Sequence, residues 1–461
     1  MLQSLPSSCP IPAPPRGNHP HSNHGGCRMD VSVAEHGGLV TSKSLTLSVS
    51  PNRPTFLVRK SLSNGTQARE NTKRLAELAG YAPEMVAASI RQHLESEDTM
   101  VKEVEKGMLA GYPPELVQDC CGGTYLMANN AGETVAVFKP ADEEPYAPEN
   151  PKGYVGGEMY GTSPLKEGVE VGMAAERECA AYMLDHGHRA KVPHTVMLRT
   201  HHTRSDLKYG SLQKFISNMC SSEDMGPSKF ESADVHNIAM LDIRLCNSDR
   251  HPGNILVTPS VAGKHSLIPI DHGFVLPKWR YLHDLDFCWL HWPQSKEPLT
   301  EDDMDYIDQL DADADAAFIR NALSLAEDCL RTVRIGTLLL KLGAHEGLNL
   351  HEIGSLMIRP HHDERSVLEE EVWRSEEATL KEMRRYPKGL MQVLATSAGH
   401  ESNGHAEMES SFMRHLNVNL GVAVRAKLAA RLDSPDYGRG RGLSDCSAGG
   451  GLAEVLGELD L

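Results

Sequence analysis

The feature that most constrains this chain is the stretch DIRLCNSDRHPGNILV, residues 242–257, followed by IPIDHGFVLP, residues 268–277. Short polar side chains sit in it between apolar runs, where burial is costly unless each finds a partner. Asp249 stands five positions before Asn254, and Asp271 directly follows the apolar run LIPI. A fold that satisfies this pattern must use a helix, a tight loop and two short strands to bring three polar groups to one place. For any single Asp–Asn pair, a turn closed by a side-chain cap is the plain alternative.

What lies upstream favours the larger reading. Helical periodicity runs through ENTKRLAELAG to Gly80 and, as one segment, through residues 82–111. The runs TYLMA and TVAVFKP then read as a hairpin turning at NNAG, its first strand led by Gly122 and Gly123. AAERECAAYMLDHG reads as a helix stopped by Gly187, and HTVMLRTHH and LKYGSLQKFI as strands. SADVHNIAMLDIRLCN reads as a helix with Ser232 as its cap, NILVTP and SLIPID as short strands, and residues 301–385 as mainly helical. A glycine-led hairpin, a helix, further strands and then a helical half is the order of a two-lobed kinase. The expected fold is α+β and bilobal, with a β-rich N-lobe and a mainly helical C-lobe.

Phosphoryl transfer needs covered phosphates, a metal held by hard oxygen ligands and a carboxylate that orients the attacking hydroxyl. Gly122, Gly123 and Thr124 let the backbone approach phosphates closely, although a glycine pair before a strand is more often only a turn. Lys139, at the end of the paired strand, can reach the phosphates, and Glu178 in the next helix is its natural ion-pair partner. An exposed lysine and a solvated glutamate are the alternatives. In Asp249-x4-Asn254 the aspartate would accept the hydroxyl proton and the asparagine would bind metal. Asp271, followed by His272 and Gly273, would complete the metal site. Asp242 and Arg250 would brace the loop, and Arg250 and His251 are counted with it as catalytic candidates.

These stretches resemble the type II phosphatidylinositol 4-kinases, most closely the plant-type gamma subgroup. The likeness is carried by GGTYLM, VAVFKPADEEPYAPENPKG, ERECAAYMLDHG, GSLQKF, LDIRLCNSDRHPGNILV, LIPIDHGFVLP, WLHWPQ and RTVRIGTLLLKLGAHEGL, over about residues 115–375. The resemblance implies use of ATP with Mg²⁺ or Mn²⁺ and phosphorylation of the inositol 4-hydroxyl of phosphatidylinositol in membranes. It implies that Glu144, Pro145 and Tyr146 lie near substrate. Gln213, Lys214, Phe215 and Ile216 would be the hinge against adenine. Some lipid kinases carry Asp-Arg-His in the loop, so His251 is a second candidate base, with Asp249 preferred. The cysteine cluster that anchors the family's animal members has no counterpart here, and Cys120-Cys121 is a poor substitute. A Ser/Thr protein kinase on the same scaffold and a non-catalytic nucleotide-binding scaffold are the rival readings.

Bulk properties set the remaining expectations. A net charge of −17 argues against a general nucleic-acid binder. Ten dispersed cysteines without a CxxC pair read as free thiols of a reducing, cytoplasmic setting. No apolar run reaches the roughly 18–20 residues of a membrane span, so membrane contact would be peripheral. Trp279, Trp289 and Trp292, with Tyr281 and Phe287, are a candidate docking surface, with packing inside the helical lobe as the alternative. EDCLRTVRIGTLLLKLG is more simply a core helix than a membrane-surface one, and the acids of DADADAAF read as an exposed helix start. The expected organisation is a Pro/Ser-rich disordered tail over residues 1–70, a kinase-like body over 75–395 and a flexible tail over 398–461. The first tail looks too Pro/Ser-rich for the ubiquitin-like domains of some plant relatives. His19, His21, His24 and Cys27 in it lack finger spacing. No protein partner is named by the sequence.

Overall fold

The computed structural model describes residues 59–60, 65–95, 99–201, 207–259, 264–385 and 402–432. The N-terminal histidine cluster lies outside the described residues. In chain order the strands are β1 (Arg59–Lys60), β2 (Glu115–Leu116), β3 (Tyr125–Ala128), β4 (Thr134–Pro140), β5 (Thr195–His201), β6 (Leu207–Lys214), β7 (Cys220–Ser221), β8 (Ile255–Pro259) and β9 (His265–Pro269). The helices are α1 (Gly65–Ala79), α2 (Glu84–Glu95), α3 (Thr99–Ala110), α4 (Ala174–Leu184), α5 (Ser232–Leu245), α6 (Glu301–Gln309), α7 (Ala312–Ala322), α8 (Glu327–His345), α9 (Leu350–Ser355), α10 (Val367–Arg385) and α11 (Ser402–Leu432).

The upper lobe is a six-stranded antiparallel sheet in the order β1-β5-β6-β4-β3-β2. Period-2 alternation gives it one apolar face: Tyr125, Met127, Ala136, Phe138, Leu198 and Leu212 pack with Met100, Val104 and Met108 of α3. Asn129 forms the β3–β4 turn, its side-chain oxygen accepting the N–H groups of Ala131 and Glu133 at 2.9 and 3.0 Å. The lower lobe is built on α5 and α8 with the small sheet β7-β8-β9. At their crossing a Cβ on Gly336 would meet the carbonyl oxygens of Ile243 and Arg244 at 2.4 and 2.5 Å, so only glycine allows that approach. α8 is a core helix, burying Leu330, Val333, Ile335, Leu339 and Leu340.

The body is larger at both ends than the sequence suggested. Arg59 and Lys60 pair with β5, and α1 begins at Gly65. The segment read as one helix is two, α2 and α3. The α1–α2 pair is tied to the lobes by a buried chain: Ser89 Oγ lies 2.9 Å from His186 Nδ1, whose Nε2 lies 2.8 Å from Asp315 Oδ1. Arg244 Nη2 donates to the other Asp315 oxygen at 2.8 Å. The DADADAAF acids therefore do not form a uniformly exposed helix start. Asp311 caps α7 and Asp315 is fully buried in an ion pair. Ser232 is not a cap either. The N-cap position is Glu231, and the Ser232 hydroxyl donates to Glu297 at 3.2 Å.

The largest departure is α11, where a flexible tail was expected. Phe412, Leu416, Leu420 and Val424 recur every fourth residue and are buried against the lower lobe. Polar and small neighbours dilute this stripe, and the glycine-rich residues beyond it obscure it further. Ion pairs of Arg331 with Glu409 and of Arg431 with Glu352 complete the attachment. Leu420→Ala should therefore cost about 2–5 kcal/mol in a chemical denaturation experiment, as for other buried leucines. A change under about 0.5 kcal/mol, typical of an exposed position, would show that α11 is not part of the core.

Candidate active site

The cleft between the lobes is organised by two charged clusters. The first joins the sheet to α4. Lys139, near the end of β4, places Nζ 2.5 Å from Glu178 Oε1 and 3.1 Å from Asp271 Oδ1. Burial alone would lower the lysine's pKa, but the charges of Asp271 and Glu178 outweigh it and raise it. For Glu178, burial would raise the carboxyl, and Lys139 overrides it to hold it well below the usual range. The side chain of Glu178 is 2% exposed and that of Asp271 is 51% exposed, so the cluster runs from the protein interior out into the cleft. Asp271, which follows an apolar run in sequence, is thus not buried. The carboxylate is turned outward by a left-handed backbone at φ 57°.

The second cluster is the buried floor. Asp242 of α5 accepts from Arg250 Nε at 2.9 Å, Arg250 Nη2 at 3.2 Å, Asn247 Nδ2 at 2.9 Å and Trp289 Nε1 at 3.0 Å. Arg250 Nη1 donates to the carbonyl oxygens of Asn254 at 2.8 Å and Ile270 at 3.0 Å. A single guanidinium thereby fixes the loop and the strand that delivers Asp271. Within the loop, Asp249 N–H donates to Asn247 Oδ1 at 3.0 Å, and Asn254 Nδ2 donates to the Asp249 carbonyl at 3.0 Å. That second bond leaves the Asn254 amide oxygen as its acceptor end. Burial, with the nearby charge of Asp271, pushes the Asp249 carboxyl up to about 6. His251 Nδ1 accepts the Gly253 N–H at 3.1 Å, so its ring holds the turn.

Around the opening, the expected residues are placed as follows. Gly123 N–H donates to the Glu143 carbonyl at 2.8 Å, and a Cβ there would meet Glu143 Oε2 at 2.2 Å. The second glycine thus serves close packing on Glu143, whose carboxylate also receives the Tyr125 hydroxyl at 2.6 Å. Glu144 faces α4: its carboxylate accepts Gly172 N–H at 2.7 Å and Ala175 N–H at 3.2 Å. Burial pushes it up to about 7 against the pull of those N–H groups. Pro145 stands against Gly122 and Tyr146 has φ 70°. At the end of β6 the Lys214 and Phe215 N–H groups bond to the carbonyls of His194 and Val135 at 2.8 and 2.9 Å, and the Gln213 side chain turns inward.

The three tryptophans do not form a docking surface. Trp279, Trp289 and Trp292 are 1%, 0% and 6% exposed. Their polar edges are used inside, Trp289 on Asp242 and Trp279 on Asp328 at 3.0 Å. Phe287 stacks on Trp289, and Trp279 lies against Phe412 of α11. Sequence reading missed Asn247 and His272. Asn247 had a local signal, an Asn two residues before the loop aspartate, which favours an Asx turn. His272, fully buried with Nδ1 3.7 Å from Glu178 Oε2, had none.

A β-rich lobe over a helical one, with a lysine reaching across the cleft to an aspartate, defines a bilobal protein of the kinase-like fold. Residues 121–353, just over half of the chain, match the family described as "Phosphatidylinositol 3- and 4-kinase". The chain belongs to that family. It is 40% identical over 342 residues to phosphatidylinositol 4-kinase gamma 2 of Arabidopsis thaliana, covering 68% of this chain and 61% of that one. It is 42% identical over 297 residues to phosphatidylinositol 4-kinase gamma 4 of Oryza sativa subsp. japonica, covering 61% and 51%. For phosphatidylinositol 4-kinase gamma 7 of Arabidopsis thaliana the figures are 41% over 294 residues, 59% and 45%. The chain spans about half the length of these relatives.

Because Arg250 would be left charged and buried without Asp242, Asp242→Ala should cost about 3–5 kcal/mol in chemical denaturation. A loss below about 1 kcal/mol would show that the floor is not held by this pair.

Proposed function

We propose that this chain transfers the γ-phosphoryl group of ATP to the 4-hydroxyl of phosphatidylinositol. The observation that carries the reading is the Lys139 ammonium shared between Glu178 and Asp271, beside a loop aspartate whose carboxyl is pushed up to about 6. Relatives whose names state phosphatidylinositol 4-kinase support the lipid as acceptor.

Each residue has a part in this reading. Lys139 neutralises nucleotide phosphates, and the turn of Gly122, Gly123 and Thr124 covers them, with Gly123 anchoring that turn on Glu143. Phe215 and Ile216, half-buried where the chain leaves the sheet, supply an apolar wall for adenine. Asp249 orients the inositol hydroxyl and takes its proton as the new O–P bond forms and ADP leaves. Tyr146 stands on the substrate side, whereas Glu144 serves α4. His251 holds the turn and Arg250 the floor.

Magnesium or manganese fits the remaining groups. The Asn254 amide oxygen and the exposed Asp271 carboxylate are hard oxygen donors, and such an ion keeps water and phosphate oxygens for the rest of its shell. When bound, it would offset phosphate charge. Asp249 lies close enough to Asp271 for its carboxyl to feel that charge, which a bound cation would offset.

Among the described residues no helix is long and apolar enough to cross a membrane. We infer that the protein meets phosphatidylinositol as a cytoplasmic, peripheral protein, by surfaces other than its buried tryptophans.

Phosphoryl transfer from labelled ATP with Mg²⁺ to phosphatidylinositol vesicles, beside a generic protein acceptor, tests this. Wild type should label the lipid, and Lys139→Met and Asp249→Asn should each lower the rate about a hundredfold or more. Labelling of the protein acceptor alone would make it a protein kinase. No transfer to either would favour a nucleotide-binding scaffold.

A further inference from the structure

Gln213 stands at the end of β6, in the segment expected to face adenine, but its side chain runs the other way. Nε2 lies 3.0 Å from Thr195 Oγ1 and 3.4 Å from Glu178 Oε2. Gln213 is 7% exposed, Thr195 2% and Glu178 1%, so all three sit in the interior behind Lys139. The Thr195 hydroxyl donates to the Pro193 carbonyl at 2.7 Å, which leaves its oxygen as an acceptor. A hydroxyl oxygen and a carboxylate are both acceptors, so the amide must present its NH₂ to them. Only Glu178 among these three touches Lys139.

A carboxylate needs two holds to keep one orientation, because its terminal torsion is soft. Oε1 has Lys139, and Oε2 has Gln213 at 3.4 Å, with the buried His272 ring further off at 3.7 Å. Packing against one face of the same helix is incomplete. On the face of α4 formed by Cys179, Tyr182 and Met183, a cavity of about 60 Å³ separates the helix from α2, with Thr195 in its wall. Close-packed interiors contain few voids larger than a water molecule, so α4 is less constrained on that side than a core helix usually is. The polar contact through Gln213 bridges what the core leaves open.

We propose that Gln213, seated on Thr195, is a positioning residue for phosphoryl transfer, acting through Glu178 to hold the Lys139 ammonium in the cleft. The inference rests on the reading of this site as an ATP-dependent kinase. It replaces an adenine contact by the Gln213 side chain with a role on the opposite side of the strand.

Gln213→Met keeps length and volume but removes the donor, and Thr195→Val removes the acceptor beneath it. Both are to be assayed for kcat and KM with ATP on phosphatidylinositol vesicles, with ATP affinity by calorimetry and the thermal midpoint measured on the same samples. Gln213→Met should lower kcat by about tenfold to a hundredfold, the scale of one hydrogen bond to a charged group, with KM and affinity for ATP within about threefold. Thr195→Val should move kcat in the same direction by less. A raised KM with unchanged kcat would make Gln213 an adenine contact and overturn the inference. A lower midpoint with unchanged kcat would make it packing alone and overturn it too. If wild type binds ATP but transfers nothing to lipid, the kinase reading fails, and this inference with it. If wild type turns over and Gln213→Met matches it, the inference fails alone.

Discussion

A buried guanidinium stays charged inside a protein only if its donors meet acceptors, since desolvation costs several kcal/mol per ion. Arg250 meets that condition with Asp242 and with the carbonyls of Asn254 and Ile270. The rest of the site depends on this arrangement. Asp249 is the residue before Arg250, Asn254 is held by its own carbonyl, and Asp271 follows Ile270. One side chain thus sets the backbone of all three polar residues that the sequence placed in apolar surroundings. Trp289 donates to the same Asp242 oxygen as Arg250 Nε, and the peptide of Cys288 returns to the Arg250 carbonyl at 2.9 Å. The aromatic run after Asp271 is therefore part of the floor.

Above the floor, opposite charges join the lobes and like charges shape the chemistry. Lys139 belongs to the sheet, Glu178 to α4 and Asp271 to the segment after β9, so their contacts tie three elements at one point. Among the described residues no comparable cation is in hydrogen-bond contact with the Asp249 carboxylate. Burial and the field of Asp271 leave its carboxyl easier to protonate than an ordinary aspartate. A base that must take a proton from a hydroxyl gains from such a shift.

Spacing made part of this legible. Asp249-x4-Asn254, Asp271 and Lys139 are fixed by short backbone segments whose apolar flanks show in the sequence as a helix, two strands and a hairpin. What was not legible depends on side-chain direction and distant packing. Glu144 and Gln213 fall in stretches that the resemblance assigns to substrate and adenine, yet both turn toward α4. Sequence spacing carries no sign for the side of a strand end or loop on which a long polar side chain will bond. The tryptophans, too, have polar tips that suit either an interface or a buried acceptor, and only the position of Asp242 and Asp328 decides. Helix α11 was hidden because its stripe is a narrow one, set among polar and small residues.

Glu144 and Gln213 converge on one helix. Glu144 accepts the N–H groups of Gly172, just before α4, and of Ala175 in its first turn, where a carboxylate also suits the helix dipole. Asp185, just past its end, accepts the N–H groups of Ala190 and Val192 at 2.8 and 3.0 Å. His186 then ties that end to Ser89 and Asp315. Both ends of α4 are therefore fixed by directional polar bonds, while one of its faces borders a cavity. Glu178 lies between these two ends, in the middle of the helix. The position of Lys139 then depends on the few contacts that Glu178 itself makes, with Lys139, Gln213 and the buried ring of His272. Such a site responds to single polar substitutions more sharply than to the loss of a methyl group nearby.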